Sequence, residues 1–200
     1  MITLYNDKTE CCGCGACSSI CPKNAITMQE DEYGFIYPEI DSKKCVECGL
    51  CISSCHYKSA DDLHTPIKSL AAVNRDDTLL ENSASGGMFS AIAEAFLNEG
   101  GCVCGAAMDF KDNVADVRHI MIHSLNELYR LQKSKYVQSS TDKAYKELQT
   151  LLKNGEEVLF SGTPCQVEAA KSIAKGTGGR LYTIDIICHG VQIGRASCRE

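Results

Sequence analysis

The 200-residue chain has no lysine- or arginine-rich run, and its formal net charge is −6. Nor does it interleave aromatic with basic residues. Binding a nucleic-acid backbone requires a basic surface, so nucleic acid is not an expected partner. A long apolar run is also missing. The longest mostly apolar stretch, GMFSAIAEAF, contains a glutamate and is too short to cross a bilayer, so no membrane span is expected. The opening MITLYNDKTE lacks the basic flank and apolar core of a secretory signal. These absences point to a cytoplasmic chain. What the chain does have is cysteine, 14 of them. A reducing cytosol disfavours a disulfide scaffold, which leaves metal as the better reason for so many thiols. With 44% hydrophobic and 23% charged residues the chain can bury a core, in one or two domains.

Cys11, Cys14, Cys17 and Cys21 follow the spacing C-x2-C-x2-C-x3-C, and Pro22 comes next. Cys45, Cys48, Cys51 and Cys55 repeat that spacing, with His56 next, and Gly15 matches Gly49. This is an internal duplication. A short loop wraps three thiolates around three irons of a cubane, and the fourth cysteine reaches the other cluster. One 4Fe-4S cluster is therefore assigned to Cys11, Cys14, Cys17 and Cys55, the other to Cys45, Cys48, Cys51 and Cys21. Zinc usually takes two C-x2-C pairs separated by a longer loop, which two unbroken quartets fit poorly. Cys12 falls outside the register and reads as a small apolar group packed beside a cluster. His56 either donates a hydrogen bond toward a cluster or, more plainly, replaces a turn residue. Between the quartets, AITMQEDEYGFIYPEID reads as a hairpin turning near Gly34.

The polar residues 61–68, with Pro66, read as a linker. SLAAVN is expected to be a strand. ENSASGGMFSAIAEAFLNEGG reads as a Ser/Gly-rich turn entering a helix over 88–98, with Ala91, Ile92, Ala95 and Phe96 at helical spacing and Gly100 closing it. Such a turn suits phosphate, although capping serines do the same work without a ligand. GCVCGAAMDF and NVADVRHIMIH read as strands. Cys102 and Cys104 share one strand face and are read as packing residues; His119 and His123 are given ordinary core or surface roles. Ser124 and Glu127 predict a capping box and a helix toward Leu131. Asp142 to Lys153 reads as an amphipathic helix ending at Gly155. EEVLFSG reads as a buried strand, TPCQVEAAKSIAK as a helix capped by Thr163 with Pro164 first, and RLYTIDIICHG as another buried strand. That order implies a parallel βαβ crossover. SGTPC and CHG then fall at the carboxyl ends of parallel strands, where open sheets bind ligands. Cys165, Cys188 and His189 are expected to lie together there, although Cys188 also reads as a buried strand residue. Cys165 at a helix N-terminus is expected to have a lowered thiol pKa.

SASGGMFSAIAEAFL, SKYVQS, LFSGTPCQV and DIICHGV, in that order behind a dicluster ferredoxin unit, resemble the family of coenzyme F420 hydrogenase/dehydrogenase beta subunits over residues 1–191. The resemblance implies an iron–sulfur flavoprotein oxidoreductase. Its two 4Fe-4S clusters would pass electrons to and from FAD, with hydride exchange to coenzyme F420 or another small-molecule carrier, and a redox partner protein or subunit. Carried onto this sequence, Cys165 is the candidate catalytic residue. The cofactor-binding candidates are Ser83, Ser85, Gly86, Gly87, Ser134, Lys135, Tyr136, Gly162, Thr163, Pro164, Cys188 and His189. Lys133 stands where many relatives have glycine. The alternatives are a flavin-free ferredoxin that docks a partner and a structural zinc protein. The expected architecture is an α+β dicluster ferredoxin domain (1–60), a linker (61–68) and an α/β region (69–155). The start of a C-terminal flavin domain with the parallel βαβ unit (156–191) follows, making an incomplete α/β domain. IGRASCRE resembles translated read-through of a sequencing adapter, so residues 192–200 are expected to be artefact and the family sequence to be cut short at Val191.

Overall fold

A computed structural model of the chain describes residues 2–57, 65–112 and 114–190. Part of the expected linker (61–64) and the adapter-like residues 192–200, with Val191, lie outside the described residues.

The cysteine-rich unit is built on two short helices, α1 (Ala16–Ile20) and α2 (Leu50–Ser53), and a hairpin of β1 (Ile26–Glu30) and β2 (Ile36–Ile40). The hairpin is antiparallel, pairing Ile26 with Ile40 and Met28 with Pro38. Asp31 shapes its turn: Oδ1 accepts from the Tyr33 and Phe35 amides at 3.0 Å each, and Gly34 takes a positive φ of 87°. Leu4, Ile26 and Cys51 are buried at the centre of this unit.

The second unit is a four-stranded sheet in the order β4-β3-β5-β6. β3 (Cys102–Lys111) pairs antiparallel with β4 (Val114–Ile122) and parallel with β5 (Glu157–Gly162). β5 pairs parallel with β6 (Arg180–Asp185), and α6 (Pro164–Ala174) makes the connection, so the βαβ unit is parallel. Alternation along each strand sorts residues to two faces. Cys102, Cys104, Val158 and Phe160 pack under α5 (Asp142–Lys153) and α6, while Val103, Ala107 and Leu159 pack under α4 (Met88–Asn98). Cys102 and Cys104 are therefore core residues. α6 starts on a capping box in which Thr163 and Gln166 satisfy each other's backbone amides, with Pro164 at the first turn.

Three expectations are corrected. SLAAVN is not a strand: residues 69–73 are exposed and the segment's link to the fold is Asn74 N–H donating to Gly86 O at 2.7 Å. No neighbouring strand offers it a ladder among the described residues. The buried strand read from RLYTIDIICHG ends at Asp185 and, among the described residues, stands at the edge of the sheet; Ile186 and Ile187 beyond it are 52% and 88% exposed. The Ser124–Glu127 pair does not cap an α-helix. A 3-10 helix forms over Leu125–Arg130, and the Glu127 carboxylate accepts from Ser124 Oγ and His123 N at 3.4 Å each. The face that α4 buries runs through Ser90, Ala93 and Leu97, against a core that comes from β3 and the 125–131 turn. A short helix, α3 (Asp77–Glu81), has no separate signal in the sequence pattern. No helix among the described residues is long and apolar enough to cross a membrane.

The two units are docked. Ala16 of α1 lies in the core formed by α5, α6 and the sheet. Thr141 Oγ1 donates to Cys14 O at 2.9 Å, and Gln138 Nε2 donates to Gly13 O at 3.2 Å. The duplicated glycines register the asymmetry: both take positive φ, 80° at Gly15 and 78° at Gly49. A Cβ on Gly15 would meet Asp142 Oδ1 at 2.9 Å, whereas nothing lies within 4 Å of one on Gly49. The first repeat faces the sheet unit and the second is free of it at this point.

Candidate iron–sulfur and redox site

The cysteine loops enclose two open-mouthed cavities. One is lined by Cys21, Cys45, Cys48 and Cys51 with apolar Ile26, Ile40 and Val46. The other is lined by Cys11, Cys14, Cys17 and Cys55 together with Cys12 and His56. Each cavity thus takes three cysteines from one loop and the last cysteine of the other. Burial pushes the thiols of Cys11, Cys17 and Cys51 up from their ordinary range, with neighbouring thiols adding to the shift at each. Several thiols turned into one apolar hollow are poorly stable as thiolates unless a cation sits among them. Backbone amides already aim at sulfur, as Ala25 N–H does at Cys21 Sγ across 3.3 Å. The donor set therefore suits iron–sulfur clusters.

Cys12, Cys14 and His56 bring their ligating atoms within 4.8 Å of one another, and Cys12 Sγ is 3.9 Å from His56 Nε2. The same thiol meets Cys165 from the start of α6, and Thr163 Oγ1 lies 3.2 Å from Cys165 Sγ. The Cys12 thiol is raised, chiefly because it donates to Cys14 and Cys165, while the Cys165 thiol is lowered, mainly by the hydrogen bond from Cys12 and then by Thr163. Cys12 is thus more than packing: it is one of the contacts between the first cysteine loop and the sheet unit, beside those of Gly13 and Cys14. No hydrogen bond joins Cys165 to Cys188 or His189 among the described residues. Cys188 and His189 are exposed beyond β6, where Cys188 Sγ accepts from Gly190 N at 3.3 Å. Cys188 is not a buried strand residue, because it is exposed beyond the end of β6 at Asp185.

The remaining candidates form a second group. α4 begins at Gly87 with no side chain capping its first amides. Ser83 Oγ donates to Leu79 O at 2.7 Å and lies 3.2 Å from Ser90 Oγ, and Ser85 is exposed. Gly86 is required by the chain itself, since a Cβ there would meet Ala72 O at 2.5 Å. Gln132 Nε2 donates to Ser90 Oγ at 3.1 Å, which ties the residues just before the SKYVQS segment to the first turn of α4. Lys135 donates to Gln132 O at 2.6 Å, and desolvation pulls its amine down to about 8. Ser134 and Tyr136 are exposed. Lys133 adopts φ 66°, the left-handed backbone that a glycine would take without strain. An uncapped helix start with a half-buried lysine nearby fits an anionic group such as phosphate. Gly162, by contrast, is buried where a Cβ would crowd Phe160 and Gln166 at 3.0 Å each, and Pro164 is exposed.

Between these groups lies a buried polar network that sequence reasoning missed. His119 Nδ1 lies 2.9 Å from Ser139 Oγ and its Nε2 3.0 Å from Ser161 O, while Gln166 Nε2 donates to Ser139 Oγ at 3.0 Å. Tyr145 adds a bond to Gln166 O at 3.0 Å. Only the alternation of His119 with apolar neighbours on its strand could have signalled burial. Burial pulls the His119 ring down from 6.5 to about 4. In the unfolded chain the ring titrates near its ordinary value, so between these pH values the unfolded state holds the extra proton. Stability is expected to be complete above about pH 6.5 and to fall by about 3 kcal/mol as pH drops toward 4. Urea unfolding of wild type and His119→Gln across that range checks this. Equal pH slopes for the two proteins would remove His119 as the cause.

Residues 10–59 match the family model of the 4Fe-4S dicluster domain, and residues 69–146 match that of the N-terminal region of the coenzyme F420 hydrogenase/dehydrogenase beta subunit. The chain is 22% identical over 184 residues to one component of the F(420)H(2) dehydrogenase of Methanosarcina mazei, covering 87% of this chain and 51% of that one. Over 54 residues it is 37% identical to an uncharacterized ferredoxin of Methanocaldococcus jannaschii, covering 27% of this chain and 69% of the ferredoxin. A chain from the F420-reducing [NiFe] hydrogenase complex of Methanosarcina barkeri shares its fold at a TM-score of 0.50 and 16% identity, over 63% of this chain and 45% of that one. This chain therefore spans about half the length of the dehydrogenase component it matches. Crossed cysteine quartets, in a region that matches the 4Fe-4S dicluster domain, thus stand in front of residues 69–146, which match the N-terminal region of the coenzyme F420 hydrogenase/dehydrogenase beta subunits.

Proposed function

We propose that this protein is an iron–sulfur flavoprotein subunit that passes electrons between a flavin and two 4Fe-4S clusters in the cytoplasm, for a partner protein or subunit. Cys11, Cys14, Cys17 and Cys55 hold cluster one, and Cys21, Cys45, Cys48 and Cys51 hold cluster two. The dicluster unit occupies residues 1–60 and the linker 61–68. The α/β region (69–155) and the βαβ segment (156–191) form the flavin side. The observation that carries the reading is the meeting of Cys12 and Cys165, because it sets the cluster-one cavity against the start of α6, at the carboxyl edge of β5. That edge is where parallel sheets bind cofactors.

FAD, when bound, would supply the conversion between a hydride pair and single electrons. The chain's own residues have separable tasks. The uncapped start of α4 after Ser83, Ser85, Gly86 and Gly87, with Ser134, Lys135 and Tyr136, binds the anionic part of the cofactor. Gly162, Thr163 and Pro164 shape the turn that brings Cys165 toward it. Cys165, with its lowered thiol pKa, acts as the polar group at the reacting end, and Cys188 and His189 close the same edge. Coenzyme F420 or another small-molecule carrier is the hydride partner. Support for F420 comes from the names of the relatives alone.

The complete protein, purified anaerobically, is expected to retain a flavin, and reducing that flavin should be followed by bleaching of the cluster absorbance; the present fragment is not expected to be active alone. Clusters that load fully without any flavin would sink the flavoprotein reading and leave a ferredoxin that docks a partner. Zinc in place of iron and sulfide would sink both.

A further inference from the structure

The internal duplication aligns residue 22 with residue 56, each directly after the last cysteine of its quartet. The two differ in kind. Proline offers no hydrogen-bond donor, whereas a histidine ring carries two nitrogens. Pro22 lines the cavity of Cys21, Cys45, Cys48 and Cys51, and His56 lines the cavity of the other four.

The His56 ring is held from two sides. Its Nε2 lies 3.9 Å from Cys12 Sγ, and Tyr57 packs on it with ring centroids 4.7 Å apart. Its Nδ1 is buried and has no hydrogen-bond partner in the protein. A polar atom in that state is costly unless something else in the cavity pairs with it. The cavity is the one the crossed quartet turns its sulfurs into, and cluster sulfur accepts hydrogen bonds from ring and amide N–H groups.

We propose that His56 donates a ring N–H to a sulfur atom of cluster one and thereby holds that cluster at a higher reduction potential than cluster two. This rests on the cluster assignment proposed above. Reduction adds negative charge to a cluster, so a donor aimed at its sulfur stabilises the reduced form more than the oxidised one. Backbone amides serve both loops alike, because the loops repeat one another; the side-chain donor is what breaks the symmetry. Cluster one is also the cluster beside Cys165, so an electron shared between the two comes to rest next to the sheet unit. A ring that merely filled space would affect cluster loading and leave the potential of a loaded cluster unchanged.

The test is an EPR-monitored redox titration of the anaerobically loaded full chain, comparing wild type with His56→Phe and His56→Gln. Wild type is expected to show two cluster signals at separate potentials. In His56→Phe only the higher one should fall, by about tenfold in its one-electron equilibrium or about 59 mV, and His56→Gln, which keeps an N–H donor, should recover part of the difference. Should His56→Phe fail to load, pulsed EPR on wild type grown with ¹⁵N-histidine decides: nitrogen coupling is expected on one reduced-cluster signal. Two signals with unmoved potentials, or no nitrogen coupling on either, overturn the inference alone. A protein that never shows two cubane signals overturns the cluster assignment and this inference with it.

Discussion

Replacing Cys21 by alanine is expected to remove the cluster held by Cys45, Cys48 and Cys51 and to spare the one beside its own loop. Cys21 directly follows α1, yet it lines the cavity of the second loop, and Cys55 lines that of the first. Single variants cannot separate this from an uncrossed arrangement, since either removes one cluster. Double variants can. Cys21→Ala with Cys48→Ala takes two ligands from one crossed site, so one full cluster of iron and sulfide should remain. Cys21→Ala with Cys14→Ala takes one ligand from each site, so both clusters should be lost. The uncrossed arrangement predicts the reverse for the two double variants, and iron and sulfide content of the purified proteins distinguishes them. Loss of a ligand leaves iron with an incomplete set of thiolates, so the effect on the affected site is close to total.

Phe160→Ala is expected to cost about 3–5 kcal/mol of folding stability. Phe160 is fully buried in the middle of β5 and stacks on two rings, His119 at 5.1 Å and Tyr145 at 5.8 Å between centroids. Removing it opens a cavity that β5, hydrogen-bonded on both sides by β3 and β6, cannot close by moving. It also takes away one face of the packing that holds the His119 ring against Ser139 and Ser161. Phe110, 73% exposed near the end of β3, is the control, and Phe110→Ala should stay within about 0.5 kcal/mol of wild type. Denaturant unfolding of the loaded chain, monitored by circular dichroism, measures both. A loss below about 1 kcal/mol at Phe160 would show that this core is loosely packed and that the ring stack is not what orders it.

Local features were legible wherever the chain's own neighbours decide the outcome. α4, α5 and α6 start and stop where their glycines, Thr163 and Pro164 indicate, because capping and φ preferences act over a few residues. The cysteine spacing yielded the crossed grouping because a loop of that length can reach only so far. The misreadings have a common origin. SLAAVN and DIICHG have strand-like composition, but a strand also needs a partner on its edge and a layer above it, and composition records neither.

By itself, then, the sequence determined the bounds of α4, α5 and α6 and the two cysteine quartets, since caps and spacing act within a short stretch of chain. Only the tertiary structure decided that Cys12 meets Cys165, that the His119 ring is buried against Ser139 and Ser161, and that the buried Nδ1 of His56 has no hydrogen-bond partner in the protein. Those facts join residues as far apart as 12 and 165, and a pairing over that distance is set by how α1 packs on α5 and α6. No pattern along the chain encodes it.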